Sequence, residues 1–156
     1  MLSYEGLFLE EDAVELIRSF EIEHLPKVND EIHCTFKYHP KNNEIFNEIV
    51  GNYFEIYLIG YGCDGLNSGF QILLPDELKQ YYINYDEQNP NILKIPHITV
   101  SLAEGASASN TKNLVFKSLK NPIKLTCRFG YWIKGEDREY LSYEPYRICT
   151  LKQSFR

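Results

Sequence analysis

Ile32-His33-Cys34-Thr35-Phe36 and Pro96-His97-Ile98-Thr99-Val100 are two short strings of one design: apolar, His, any residue, Thr, apolar. Strand side chains alternate between two faces with a period of two. Read as strands, Ile32, Cys34 and Phe36 share one face, with His33 and Thr35 opposite. In the second string Ile98, Val100 and Leu102 share one face, with His97, Thr99 and Ser101 opposite. If both apolar faces pack into a core, both His-Thr pairs look into the same kind of non-core space. Two imidazoles flanked by two hydroxyls suit acid/base chemistry on a phosphate.

The rest of the chain sets the frame for these strings. Its 156 residues suit one domain, 1–156, and an apolar content of 44% with 14% aromatics supplies an ordinary globular interior. No run approaches the roughly 18 apolar residues of a membrane helix. The opening Met1-Leu2-Ser3-Tyr4-Glu5-Gly6 lacks the basic flank and apolar block of a signal peptide, so a cytoplasmic monomer with no membrane partner is expected. A net charge of −6 without a basic run argues against tracking a long duplex nucleic acid, which needs clustered Lys and Arg. A small nucleotide or the end of an RNA fits better. Cys34, Cys63, Cys127 and Cys149 are widely spaced in apolar stretches, with no zinc-type cluster. They read as reduced core residues, and alternation turns Cys34 away from its neighbouring His and Thr. No metal and no cofactor are expected.

Alternation and turn residues predict the order of elements. Tyr4 to Leu9 reads as a strand, and Glu11 to Phe20 as a helix with Ala13, Leu16, Ile17 and Phe20 on its apolar face. The first motif strand spans Glu31 to Tyr38 and ends at His39-Pro40. A helix is expected from Asn43 to Val50. Tyr53 to Cys63 and Gly69 to Leu74 form a hairpin through Asp64-Gly65. A short helical stretch follows from Pro75 toward Tyr82, then a loop over Tyr85 to Asn91. The second motif strand spans Ile95 to Leu102, with a small-residue loop after it. Thr111 is placed to cap a helix through Phe116. Ile123 to Ile133 and Glu139 to Leu151 close the chain as a hairpin. The class is α+β, a pair of antiparallel-rich sheets with helices outside.

Four histidines are present, and two of them carry Thr at the same offset between apolar neighbours. His24 reads as exposed at a helix end and His39 as closing a strand. Neither has the context of His33 and His97.

At these residues the chain resembles the two-histidine phosphoesterase superfamily, whose members carry two His-x-Thr/Ser motifs. Within it, the resemblance is to the catalytic domains of the myelin 2′,3′-cyclic-nucleotide 3′-phosphodiesterases. Three stretches carry that likeness: Ile32 to Phe36 with the trailing Lys37-Tyr38, His97 to Val100 with the downstream Asn110-Thr111 and Leu114, and the opening Tyr4 to Leu9. One departure stands out. The position two before the second His is basic in the family pattern and is Ile95 here.

The resemblance implies a bilobal α+β fold with sheets lining a central cleft. It also implies hydrolysis of 2′,3′-cyclic phosphates on nucleotides or RNA ends, without a metal, to a 2′-phosphate. His97 would activate water, His33 would protonate the departing 3′ oxygen, and Thr35 and Thr99 would hold the phosphate. Tyr38 and Tyr4 are candidates for stacking on the base. Strict alternation places Tyr38 beside Phe36, so its use requires the strand to bend before Pro40. Ser101 and Asn110 complete the expected substrate contacts. Two other readings compete: a hydrolase of cyclic oligonucleotides or 2′–5′ linkages in signalling or anti-defence, and a non-catalytic module that binds nucleotides or RNA ends.

Overall fold

A run of alternating apolar residues needs a partner edge, and among the described residues the computed structural model supplies one to each strand. It describes residues 1–82 and 95–147. In chain order the elements are β1 (Leu2–Leu9), α1 (Glu11–Phe20), β2 (Lys27–Val28), β3 (His33–Tyr38), β4 (Tyr53–Cys63), β5 (Asn67–Leu73), α2 (Asp76–Lys79), β6 (His97–Leu102), β7 (Lys117–Lys134) and β8 (Glu139–Ser142). The fold is α+β, dominated by antiparallel pairing. The strands form one sheet rather than two, in the order β2-β6-β5-β4-β7-β1-β3, with β8 added to β7.

The long strand β7 unites the sheet. Its C-terminal part pairs with β1, and its middle pairs with β4 up to Leu58↔Ile123 before resuming at Gly60↔Ser118. Pro122, which cannot donate to a ladder, sits in this irregular stretch. The expected strand start at Ile123 is therefore an interruption inside a longer strand.

Sheet curvature brings the two ends of the path together: β3 and β6 pack side by side although no ladder joins them. One contiguous core fills the interior, drawing Leu7 from β1, Ile17 from α1, Cys34 and Phe36 from β3, Ile56 and Leu58 from β4, Phe70 from β5 and Ile98 from β6. Cys34 and Cys127 are buried free thiols and Cys63 is half-buried, as core cysteines should be. Cys149 lies outside the described residues, as does the loop over Tyr85 to Asn91.

Three expectations are corrected. Helix α1 has the expected bounds, but it buries Ala13 and Ile17 while Leu16 and Phe20 stay 41% and 44% exposed. The helix over Asn43 to Val50 is instead a 3-10 turn at Asn42–Glu44 followed by irregular turns. There, a backbone donor finds a tertiary acceptor: Phe46 N–H goes to the Glu5 carboxyl group, and a helix this short is marginal alone. Thr111 is no N-cap; it is buried inside a 3-10 turn spanning Ala108–Asn113. No helix among the described residues is long and apolar enough to cross a membrane.

Candidate active site

The cleft where β3 meets β6 has a volume of about 240 Å³, and His33, Thr35, His97 and Thr99 all line it. The two motifs are built alike down to the backbone. His33 Nδ1 lies 2.8 Å from the Glu31 carbonyl, and His97 Nδ1 lies 2.7 Å from the Ile95 carbonyl. A carbonyl only accepts, so each Nδ1 carries a proton and each Nε2 is the ring nitrogen left to the motif's own chemistry. Ile95, whose side chain departs from the family pattern, thus serves the motif through its backbone.

Directly after each Thr the pairing skips a residue. Glu5 pairs with Lys37 and Gly6 with Thr35, leaving Phe36 as a bulge. Ser68 pairs with Ser101 and Gly69 with Thr99, leaving Val100 as a bulge. A bulge bends its strand and re-aims the side chains beyond it. In β3 this swings Tyr38 out to 55% exposure at the cleft, with its hydroxyl 3.5 Å from Thr35 Oγ1. In β6 it has the opposite result: Ser101 is 1% exposed, donates its hydroxyl to the buried Glu21 carboxylate, and accepts Leu25 N–H at 3.1 Å. Ser101 therefore braces the segment after α1 and leaves the cleft. Asn110 is also outside it, exposed on a 3-10 turn whose Ala108, Ser109 and Lys112 do line the cleft.

His33 occupies the drier position. Its ring stacks on Tyr4 at 4.6 Å between centroids and lies 5.4 Å from Phe8. Burial lowers its pKa to about 4; the Glu31 carbonyl opposes that shift and the nearby His97 adds to it. His33 is therefore neutral at pH 7, with Thr35 Oγ1 2.9 Å from Nε2. Tyr4, partly buried among Phe8, His33, Tyr38 and Trp132, stacks on the histidine from the side of β1. Burial raises its pKa.

Further residues tie the motifs together. Asn29 Nδ2 donates to the Glu31 carbonyl at 3.0 Å and to the Thr99 carbonyl at 3.2 Å. Beneath the cleft the His97 backbone N–H donates to the Cys34 thiol, which burial pushes up to about 12. Lys37 lines the cleft and approaches Glu44 at 3.9 Å. Tyr82 packs edge-on against Phe36 and forms part of the wall. His24 pairs with Glu21 at the end of α1, and His39 ends β3 at φ +47°, so neither reaches the site. Among the described residues no His/Cys/Asp/Glu cluster could hold a metal ion.

Asn29, Tyr82 and Lys112 had no periodic or motif signal to betray them, because long-range packing brings them to the cleft. No family model matches the chain, and no curated protein matches it.

Proposed function

We propose that this chain hydrolyses 2′,3′-cyclic phosphates on nucleotides or RNA ends, with the cleft between β3 and β6 as its active site in a two-lobed two-histidine phosphoesterase arrangement. The observation that carries this reading is the pair of histidines in one cleft, each with Nδ1 committed to the carbonyl two residues back and a Thr two residues on. Such a pair can hold opposite protonation roles across a small phosphate.

One imidazole takes a proton from water as its oxygen attacks phosphorus. The bond from phosphorus to the ribose 3′ oxygen breaks, and the other imidazolium gives that oxygen a proton, leaving a 2′-phosphate. The Thr hydroxyls face the non-bridging oxygens, where donors count most as negative charge builds. The assignment of His97 as base and His33 as acid requires the substrate to raise the His33 pKa. A phosphodiester anion does so, since a close opposite charge favours the protonated ring by about 1–3 pK units.

The test is turnover of 2′,3′-cyclic AMP in EDTA, with chromatographic separation of 2′- and 3′-AMP. The expected result is 2′-AMP from the wild type and a loss on the order of 10²–10⁴-fold in His33→Ala and in His97→Ala. No turnover, or equal turnover in the variants, overturns the reading.

A second reading is favoured by Lys37 and Lys112 on the same cleft, since two cations suit a substrate with more than one phosphate. Rates on cyclic dinucleotides and 2′–5′ oligoadenylate, measured beside 2′,3′-cyclic AMP, separate the two.

A further inference from the structure

Strands β2 and β3 are the two ends of the sheet's path, yet in the chain only residues 29–32 separate them. β2 is laddered to β6 of the second motif, and β3 begins with His33 of the first. The link bends at Asp30 and Glu31, outside both ladders. Strand pairing therefore does not fix the Glu31 carbonyl that orients His33. Asn29 does. Its backbone N–H donates to the Val100 carbonyl at 2.8 Å. Its Nδ2 donates to the Thr99 carbonyl at 3.2 Å and to the Glu31 carbonyl at 3.0 Å. Both of those partners only accept, so the amide has one orientation and every N–H hydrogen of Asn29 is used. The Glu31 oxygen also accepts from His33 Nδ1 at 2.8 Å, so Asn29 and His33 together fill its lone pairs. One side chain thus connects the backbone of the second motif to the imidazole of the first.

We propose that Asn29 is a positioning residue that sets the His33 imidazole against the second motif. Its catalytic consequence rests on the phosphodiesterase reading above. With the Glu31 carbonyl held, the neutral ring carries its proton on Nδ1 and leaves Nε2 to Thr35, 2.9 Å away, and to the substrate. A carbonyl free to turn no longer selects which ring nitrogen is protonated, and the ring itself can swing. Misplacing a reacting group by about 1 Å costs on the order of a hundredfold in rate. The second histidine has its own support. His97 Nδ1 donates to the Ile95 carbonyl, to which Asn29 has no hydrogen left to give. His97 is therefore an internal reference for what Asn29 does to His33.

The experiment compares the wild type with Asn29→Ala and Asn29→Asp in the full chain. Asn29→Asp keeps the shape but turns acceptor oxygens on two carbonyls, so it should do no better than Asn29→Ala. The first readout is NMR of the imidazole nitrogens at neutral pH, which distinguishes the two tautomers. Both histidines should be protonated at Nδ1 in the wild type. In the variants His33 should gain the Nε2–H form while His97 keeps its wild-type signature. The second readout is turnover of 2′,3′-cyclic AMP. There kcat should fall about ten- to a hundredfold with KM nearly unchanged, as for an interaction that matters in the transition state. An unchanged His33 tautomer overturns the proposal. Equal changes at both histidines would mean a general loosening of the seam and overturn it too. So does a shifted His33 tautomer with unchanged kcat. If neither variant shows a cooperative thermal transition, Asn29→Ser, with one hydroxyl donor for two carbonyls, is read in the same way. Absence of wild-type turnover overturns the phosphodiesterase reading, and the tautomer readout still decides whether Asn29 sets His33.

Discussion

Gly6 and Gly69 occupy equivalent positions, each opposite a motif threonine and pressed against the carbonyl of the residue between His and Thr. A Cβ on Gly6 would lie 2.1 Å from the Cys34 oxygen, and one on Gly69 would lie 2.4 Å from the Ile98 oxygen. Both contacts are with backbone, which cannot rotate away. The bulges that shape the cleft therefore depend on glycine in the neighbouring strand. Gly6→Ala and Gly69→Ala should each destabilise the fold by about 1–3 kcal/mol, the usual cost of overpacking, as read by urea unfolding. Gly135→Ala, on the far hairpin, is the comparison: its Cβ would meet backbone no closer than 3.0 Å, and a loss as large there would contradict a cost specific to the bulges.

The neutral His33 makes stability depend on acidity. Its pKa falls from 6.5 to about 4 on folding, so between those values the unfolded chain binds more protons than the native one. Stability from this group is complete above pH 6.5, is lost as pH falls, and levels off near pH 4. The span corresponds to about 3 kcal/mol. Urea midpoints measured from pH 4 to 7 should show a slope in the wild type that is missing from His33→Gln. Parallel profiles would contradict the burial of a neutral ring.

Glu5 acts in the other direction. Its carboxyl is fully buried, with Oε1 accepting Phe46 N–H at 3.3 Å and no partner for Oε2 among the described residues. Burial raises its pKa to about 8; the Phe46 hydrogen bond opposes this, and Glu44 and Glu48 add to it. The folded protein holds this proton more tightly than the unfolded chain, so stability falls as pH rises from 4.5 through 8. Glu5→Gln keeps the neutral shape and should be more stable than the wild type at pH 9, by on the order of 5 kcal/mol. At pH 4 the two should match. A variant no more stable at pH 9 would show the carboxylate to be accommodated in place.

Tyr38 is 55% exposed at the mouth of the cleft, so removing its ring should leave the fold intact. Base–aromatic stacking contributes about 1–3 kcal/mol. Tyr38→Ala should therefore raise KM for 2′,3′-cyclic nucleotides about five- to a hundredfold, with little change in kcat and equal effects on purine and pyrimidine substrates. Unchanged KM would remove Tyr38 from the substrate contacts.

The elements built on local pattern were legible. His33, Thr35, His97 and Thr99 share a face because a period of two relates them within each string, and that held over the short span between His and Thr. Alternation failed one residue later. It cannot register an inserted residue, so the bulges at Phe36 and Val100 admitted Tyr38 to the cleft and removed Ser101 from it. The bounds of α1 followed from its periodicity, but its buried face is set by the strand it packs on, which left Leu16 and Phe20 outside. Thr111 looked like a cap because Thr before a helical pattern often is one. Its hydroxyl is buried where Asn67 and Thr99, from two strands, both donate to it, and no local rule connects the three.

Among the described residues strand β3 shares a ladder with β1 alone, at the end of a path that runs through β7, β4 and β5 before reaching β6. The cleft therefore spans a seam with no ladder of its own, closed by packing, by Asn29 and by the Cys34 sulfur. On the proposed function, an anion held from both sides would act as a clasp across that seam. Occupancy would suppress the local opening through which an edge strand exchanges its amide hydrogens, so amide exchange in β3 should slow when 2′,3′-cyclic AMP is added.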